Sequence, residues 1–164
     1  MKASFVASAL IAAALVGCSH AQQERQQPAA GLEADPRLCT SFNTADGEAF
    51  RQAIRDELIQ ARTASNVNQF KTVIALTRDA ERRLAACSKR TADPTGGLFA
   101  AQAEAYLLEA DAEGAIGARA NGRAAVALAK RSIEIAMRAP AASWDDRRKF
   151  TEIDAQIRDV AAHL

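Results

Sequence analysis

The sequence predicts an all-α protein, and three observations support this fold class. The composition is rich in alanine, leucine, isoleucine, arginine and glutamate, a mixture that favours helix over strand. Aromatic residues make up only 5% of the chain, so residue types that favour strands are scarce. From Phe50 onward, apolar side chains recur at intervals of three and four, which is the spacing of one helix face. We therefore expect an antiparallel bundle, or a set of helical hairpins, of four to five helices.

The first residues of the chain follow a different pattern. Lys2 is followed by an apolar run of 14 residues, Ala3 to Val16. This run is shorter than the roughly 20 residues that a membrane-spanning helix requires. A charged start, an apolar centre and a small-residue end are typical of a signal peptide. The end of the run resembles the lipobox of bacterial lipoproteins, and its residues are Leu15-Val16-Gly17-Cys18.

The lipobox resemblance implies how the chain is processed and attached. Residues 1–17 would be removed as a signal peptide, and Cys18 would become the lipidated N-terminus. Ser19 is not the aspartate that retains many Gram-negative lipoproteins in the inner membrane. The resemblance therefore favours the periplasmic face of the outer membrane over the inner membrane. The alternatives are a retained N-terminal helix and a signal peptide in which the cysteine is incidental.

The same resemblance places the two remaining cysteines, Cys39 and Cys87, in an oxidising compartment, where thiols tend to pair. We therefore expect a Cys39–Cys87 disulfide. It would close a loop of about 48 residues and, on the chain-entropy argument, contribute about 4 kcal/mol. Two buried free thiols are the alternative. A metal or redox site is disfavoured, because the chain has no Cys-x-x-Cys pair and no histidine near either residue.

The mature chain has the size of one domain, since removing 17 of 164 residues leaves 147. Residues 18–37 would comprise the lipidated Cys18 and a tether. The segment lacks apolar periodicity and contains glutamine, proline and glycine, so we expect this tether to be flexible, with a span of roughly 25 Å. Residues 38–164 form the predicted helical domain. The mature chain has 20 basic and 20 acidic side chains. This balance argues against nucleic-acid binding and against adsorption to anionic lipid beyond the anchor.

The first two helices are predicted from two apolar stripes. The first helix would be capped by Thr44 or Asp46 and end near Ala64. Its stripe consists of Phe50, Ile54, Leu58 and Ala61. Asn66 and Gln69 resemble a capping arrangement for the second helix. That helix has the stripe Phe70, Val73, Thr77, Ala80, Leu84 and Cys87.

The opposite face of the second helix is strongly charged. We expect it to be a solvated surface, with Asp79 and Arg83 paired across one turn, in preference to an arginine-rich anion site. Its residues are Arg78, Asp79, Glu81, Arg82 and Arg83.

The third helix would start at Asp93, as the cap, and Pro94, as the first helical residue. Its core face consists of Leu98, Ala101, Ala105, Leu108 and Ala112, with Phe99 and Tyr106 beside them. Three glycines within residues 114–122 favour a turn there over one long helix, since each costs about 1 kcal/mol inside a helix. The fourth helix would then present Ala125, Leu128, Ser132, Ile135 and Ala139.

Pro140 ends the fourth helix, and the last helix is the most regular of the five. Ser143 and Asp146 have the spacing of a capping box. The core stripe consists of Phe150, Ile153, Ile157, Val160 and Leu164. We expect Trp144 to pack over the end of the bundle, in preference to serving as an exposed anchor for a partner.

A second resemblance concerns the third helix. Phe99, Ala103 and Tyr106 follow the large, small and aromatic pattern of the first helix of a tetratricopeptide repeat. The positions expected in the second helix of that repeat are Arg119 and Gly122, which depart from the pattern. The resemblance implies a solenoid of helical hairpins.

Little catalytic chemistry is available, so we expect a non-enzymatic protein with no catalytic residue, cofactor or metal. The only histidines are His20, in the tether, and His163. Neither has the partners that a hydrolase base requires. Met137 with His163 would make only a remote axial pair for haem.

Two carboxylate pairs are also explained without catalysis. Asp111 and Glu113 are two residues apart and do not share a helix face. Asp145 and Asp146 suit the positive end of the last helix.

The sequence favours a binding role in the cell envelope. The first expectation is a non-catalytic accessory module of an envelope complex, attached to the membrane by lipid and bound to a protein partner. The alternative is an inhibitor or immunity-type lipoprotein that neutralises a toxin or enzyme. An enzyme is the third and least favoured reading.

Overall fold

A computed structural model describes residues 47–164 of the chain. These residues form five α-helices and no strand, which confirms the predicted all-α class. The helices are α1 (Glu48–Asn66), α2 (Phe70–Ser88), α3 (Gly97–Ala115), α4 (Arg119–Met137) and α5 (Trp144–His163).

Helix α3 is the centre of the fold. It packs extensively against α2 and α4 and also contacts α1 and α5, whereas α2 and α4 scarcely touch each other. Because α3 has neighbours on several sides, both Leu98 and Ala103 are fully buried although they lie on different faces. The predicted single core face of α3 is therefore only part of its buried surface.

Successive helices are antiparallel, so the bundle has two ends. At the Trp144 end, α1 begins, α2 meets α3 through residues 89–96, and α4 meets α5 through residues 138–143. At the Leu164 end, residues 67–69 and 116–118 form the two remaining turns and α5 finishes. Phe50, Cys87 and Leu98 share one buried cluster, which brings the start of α1 to the first of these ends.

Three core stripes agree with the sequence. The four predicted residues of α1 are all buried, as are Val73, Thr77, Ala80, Leu84 and Cys87 of α2. In α5, Phe150, Ile153 and Ile157 are buried. The predicted capping box is also confirmed, because the Asp146 backbone N–H donates to Ser143 Oγ and the Ser143 N–H donates to the Asp146 carboxylate.

Other helix boundaries differ from the predictions. Asn66 is the last residue of α1, and Gln69 precedes α2 without a side-chain cap, so that capping prediction was wrong. Helix α3 begins at Gly97 and not at Pro94, but the Asp93 carboxylate still accepts hydrogen bonds from the Leu98 and Phe99 N–H groups.

The turn expected within residues 114–122 is shorter than the glycine content suggested. It occupies residues 116–118, with Gly117 at a positive φ of 82°. Gly122 lies inside α4, where an added Cβ would be 2.9 Å from the Leu164 side chain and 3.0 Å from the Ala110 carbonyl oxygen. This glycine therefore permits close packing of α3, α4 and Leu164.

Two predictions of which side chains are buried were wrong. The predicted core face of α4 included Leu128 and Ile135, which are 45% and 39% exposed, because the residues that face α3 and α5 are Ala129, Ile133 and Ala136. Trp144 was expected to pack over the bundle end, but its side chain is 74% exposed.

Candidate functional site

A polar stripe runs along one side of the central helix α3. It consists of Gln102, Tyr106, Glu109 and Glu113, which are spaced by four, three and four residues and share one face. Glu109 and Glu113 are only 8% and 3% exposed, and Gln102 is also buried. Buried carboxylates at the centre of a small helical domain need charged or hydrogen-bonding partners.

Arg78 of α2 provides the cation for this stripe. Its Nε lies 2.6 Å from Glu109 Oε1, and its Nη2 lies 2.8 Å from Glu113 Oε1. Asn121 of α4 donates a longer bond, 3.4 Å, to the other oxygen of Glu113. The stripe is thus contacted from both flanking helices, while half of the Arg78 side chain stays exposed.

Glu81 adds a third carboxyl group to the same cluster. No donor among residues 47–164 reaches its buried Oε1, and its neighbour is the Glu109 carboxylate. Burial, followed by the hydrogen bond and charge of Glu109, raises the pKa of Glu81 to about 9. A protonated Glu81 donates to Glu109, which provides the partner that an ionised carboxylate would lack.

Tyr106 completes the cluster next to Glu81. Burial, and then the charge of Glu81, raise its pKa, while a hydrogen bond with Gln102 opposes that shift. Tyr106 is therefore a neutral phenol across the physiological pH range and acts as a hydrogen-bonding group.

Protonation of Glu81 predicts how stability depends on pH. A carboxyl group whose pKa is higher in the folded state binds more protons when folded, so stability falls as pH rises from about 4.5 toward about 9. Glu81→Gln keeps a neutral side chain at every pH and should flatten this decline, which is at most about 1.4 kcal/mol per pH unit for one proton. Urea unfolding at several pH values measures the slope. Glu152→Gln, at an exposed position of α5, is the matched control and should leave the slope unchanged.

We interpret the stripe as the floor of a shallow cleft between α2 and α4. These two helices pack on α3 and scarcely touch each other, so their facing sides form the walls. Leu128 and Ile135 follow Asn121 at intervals of seven residues and therefore lie along the same side of α4 as the residue that contacts Glu113. The cleft combines a polar floor with an exposed aliphatic rim.

The charge of the floor is only partly neutralised. Glu109 and Glu113 are carboxylates, Glu81 is protonated near neutral pH, and Arg78 is the cation that contacts them. The floor therefore retains a formal charge of about −1 and favours a cationic or hydrogen-bond-donating group over an anion. The geometry suits recognition of a basic side chain.

The prediction of a solvated face on α2 was wrong for Glu81 and Arg83. Arg78 is exposed as predicted, although its guanidinium contacts the buried Glu109 and Glu113. Arg83 is largely buried, with its Nη1 2.8 Å from Glu57 Oε2 and its guanidinium 5.5 Å from the Phe50 ring centre. Burial raises the pKa of Glu57 to about 7, with the Arg83 charge opposing the shift. The expected Asp79–Arg83 pair is present at 3.8 Å, although Glu57 is the closer partner of Arg83.

A second ionic group connects the alternate helices on the other side of α3. The Glu104 carboxylate lies 3.1 Å from Arg62 of α1 and 3.0 Å from Lys149 of α5. These side chains link three helices and carry a formal charge of +1, on two cations that are both more than half exposed, so we interpret the group as structural.

The residues weighed for catalysis or haem binding do not come together. Met137 ends α4 near the Trp144 end, whereas His163 ends α5, which has 20 residues and spans about 30 Å. His163 lines a cavity of about 220 Å³ with Asp111 and Asp159, and its Nδ1 is 2.8 Å from the Asp159 carbonyl oxygen. The lining of this cavity includes no serine, threonine or cysteine nucleophile.

Several predicted residues lie outside the described part of the chain. Among them are Cys18, His20, Cys39 and the cap candidates Thr44 and Asp46, so lipidation, the Cys39–Cys87 disulfide and the cap of the first helix stay predictions. Cys87 is fully buried near the end of α2, beside Phe50 and Leu98. Within residues 47–164, no cluster of side chains is arranged to hold a metal ion, and no helix is long and apolar enough to cross a membrane.

The sequence-based prediction missed the polar stripe of α3 because it defined the buried face of this helix from apolar residues alone. The signal was nevertheless present: Gln102, Tyr106, Glu109 and Glu113 have helical spacing within a helix that is otherwise largely alanine and leucine. Such a stripe on a helix that is buried on its other sides marks a boundary between two packed neighbours.

Comparison of the chain with models of known protein families, with curated proteins and with solved structures gives no match.

Proposed function

We propose that this protein is a lipid-anchored periplasmic protein of the outer membrane whose helical domain is a non-catalytic interaction module of an envelope complex. The observation that supports the interaction role is the α2–α4 cleft, with its partly neutralised floor and its aliphatic rim. The lipid attachment is supported by the Leu15-Val16-Gly17-Cys18 sequence.

The cleft has the chemistry of a binding surface for a protein segment. Leu128 and Ile135 expose aliphatic surface that water solvates poorly. Below them, the buried Glu109 and Glu113 carboxylates are only partly neutralised by Arg78, and their field favours a basic side chain at the rim. We therefore propose that the partner contributes a segment that carries both apolar and basic residues.

The attachment is tested by the mass of the protein purified from membranes. The expected mass is that of the chain starting at Cys18 plus its acyl groups, and Cys18→Ala should release the protein into the soluble periplasmic fraction. The same sample tests the disulfide: Cys39 and Cys87 should react with a thiol reagent only after reduction. An unmodified Cys18, or two thiols that react before reduction, would contradict the corresponding prediction.

The interaction is tested by crosslinking in cells that produce the full chain. We expect a specific crosslinked partner that is lost in the Leu128→Asp and Ile135→Asp variants, because a charge on the rim opposes apolar contact. Ile59→Asp is the matched control, since Ile59 is a similarly exposed aliphatic residue on α1. A partner that survives both rim substitutions, or is lost equally in the control, rules out the cleft as its binding site.

The identity of the crosslinked partner separates the two binding roles. A resident envelope assembly supports an accessory module. A secreted toxin or enzyme whose action the protein blocks would instead support the inhibitor or immunity-type role.

A further inference from the structure

The chain has one tryptophan, Trp144, and it is the most exposed of the large hydrophobic side chains of residues 47–164. It is the first residue of α5, and the Arg148 guanidinium lies 5.4 Å from its ring centre. A large ring with one polar N–H is costly to leave in water and is well suited to the interface between lipid and water.

The same end of the bundle carries basic side chains that form no ion pair within residues 47–164. Lys89 and Arg90 follow α2, and Arg138 follows α4. All three are exposed, and none makes a salt bridge with a described residue. The overall balance of charge, which argued against adsorption to anionic lipid, therefore hides a local excess of positive charge.

Four of the carboxylates at this end are already engaged, and a fifth, Glu134 in the last turn of α4, is exposed. Glu48 pairs with Arg51 and Arg55 at the start of α1. Asp93 accepts the first N–H groups of α3. At the start of α5, Asp145 pairs with Arg148, and Asp146 caps the helix. Lys89, Arg90 and Arg138, which form no salt bridge within residues 47–164, therefore face one exposed carboxylate and keep a local excess of positive charge.

The proposed anchor enters the domain at this end. Helix α1 begins at Glu48 beside the α2–α3 and α4–α5 connections, and Cys18 lies 30 residues upstream. The opposite end lies farther from Glu48, the first residue of α1, by the length of a 19-residue helix, about 28 Å. Attachment through Cys18 therefore favours an orientation in which the Trp144 end faces the membrane.

We propose that the Trp144 end is a membrane-docking surface for anionic phospholipid headgroups. Trp144 lies at the headgroup level, and Lys89, Arg90 and Arg138 contact lipid phosphates. The inference rests on the proposed lipid attachment and adds an orientation: the cleft walls, α2 and α4, then extend away from the membrane, where a periplasmic partner can reach them. The inference predicts contact with the membrane surface and no insertion of a helix into the bilayer.

The unique tryptophan makes this inference directly measurable. The full lipidated chain is reconstituted into vesicles of phosphatidylethanolamine and phosphatidylglycerol, with or without brominated acyl chains. The reference is the Cys18→Ser chain in detergent-free buffer. Compared with this reference, we expect Trp144 of the vesicle-bound chain to emit at shorter wavelength. Its emission should also lose intensity when the acyl chains are brominated. The matched control is the Trp144→Phe, Ile116→Trp double variant, which moves the only reporter to an exposed aliphatic position at the Leu164 end. Its emission should respond to neither lipid.

The charge contribution is tested with Lys89→Gln, Arg90→Gln and Arg138→Gln combined. This variant should lose most of the wavelength shift in anionic vesicles, whereas Lys130→Gln with Arg131→Gln, on the side of α4, should retain it. Equal effects of the two sets would overturn the headgroup contacts.

Three other results would overturn the docking surface. A vesicle-bound chain that carries its lipid but keeps water-exposed Trp144 emission overturns the docking surface and leaves the lipid attachment intact. A chain whose mass shows no acyl group overturns both. A shift that requires an added envelope protein and not lipid identifies the Trp144 end as a protein interface instead, which also overturns the proposal.

Discussion

Arg78→Met is expected to lower the free energy of unfolding by roughly 2–4 kcal/mol near neutral pH. The substitution leaves Glu109 and Glu113 buried without the cation that contacts both. Breaking a buried ion pair by removing one partner typically costs 3–5 kcal/mol, and the half-exposed Arg78 places this case toward the lower values. Equilibrium unfolding in urea measures the loss.

The charge origin of this effect can be separated from lost packing. The cost of Arg78→Met should shrink in a chain that also carries Glu109→Gln and Glu113→Gln, because those substitutions remove the negative charges that Arg78 balances. Arg82→Met, on the same helix, removes a guanidinium that is 73% exposed and should change stability by less than about 0.5 kcal/mol. A large loss in both variants would mean that α2 tolerates no substitution here, and would contradict the specific role of Arg78.

The sequence predicts the outer helices well because each buries one stripe. In α1, α2 and α5, residues such as Phe50, Leu84 and Ile157 recur with helical spacing, and the structure buries them. The hydrophobic effect fixes which side of such a helix faces inward. This much of the fold depends on local pattern alone.

The central helix and its neighbour α4 are predicted less well, for a physical reason. Helix α3 is buried on several sides, so it has no single apolar face, and its buried Glu109 and Glu113 resemble surface residues until Arg78 is placed beside them. In α4, alanines at 129 and 136 allow close packing, whereas the larger Leu128 and Ile135 lie at the rim. Side-chain size misleads where tight helix packing selects small residues.

The candidate site was accessible from the sequence only in part. Lipidation of Cys18 and the Cys39–Cys87 pair are predicted from the lipobox resemblance, and the burial of Cys87 is predicted from its position in a stripe. The cleft arises from the separation of α2 and α4, which is a tertiary property that no local pattern encodes. Trp144 was assigned to packing because tryptophan usually buries its ring, so its exposure is informative.

Gly96→Ala is expected to destabilise the protein by roughly 2–4 kcal/mol, because two penalties act at one position. Gly96 has a φ of 79°, a conformation that an alanine adopts at a cost of about 1 kcal/mol. An added Cβ would also lie 2.8 Å from the Ala136 carbonyl oxygen and 3.0 Å from Phe150 Cζ. The first of these is backbone, so relief requires α4 to move away from the start of α3, which disturbs a packed core.

Gly117→Ala separates the two penalties. Gly117 has a φ of 82°, but an added Cβ would meet no atom within 4 Å, so this variant carries only the conformational strain. It should cost about 1 kcal/mol. The difference between the two variants in urea unfolding then measures how tightly α4 packs against the α2–α3 connection at the Trp144 end. Equal losses would show that this contact is soft, and would weaken the case that Lys89, Arg90, Arg138 and Trp144 are held on one rigid surface.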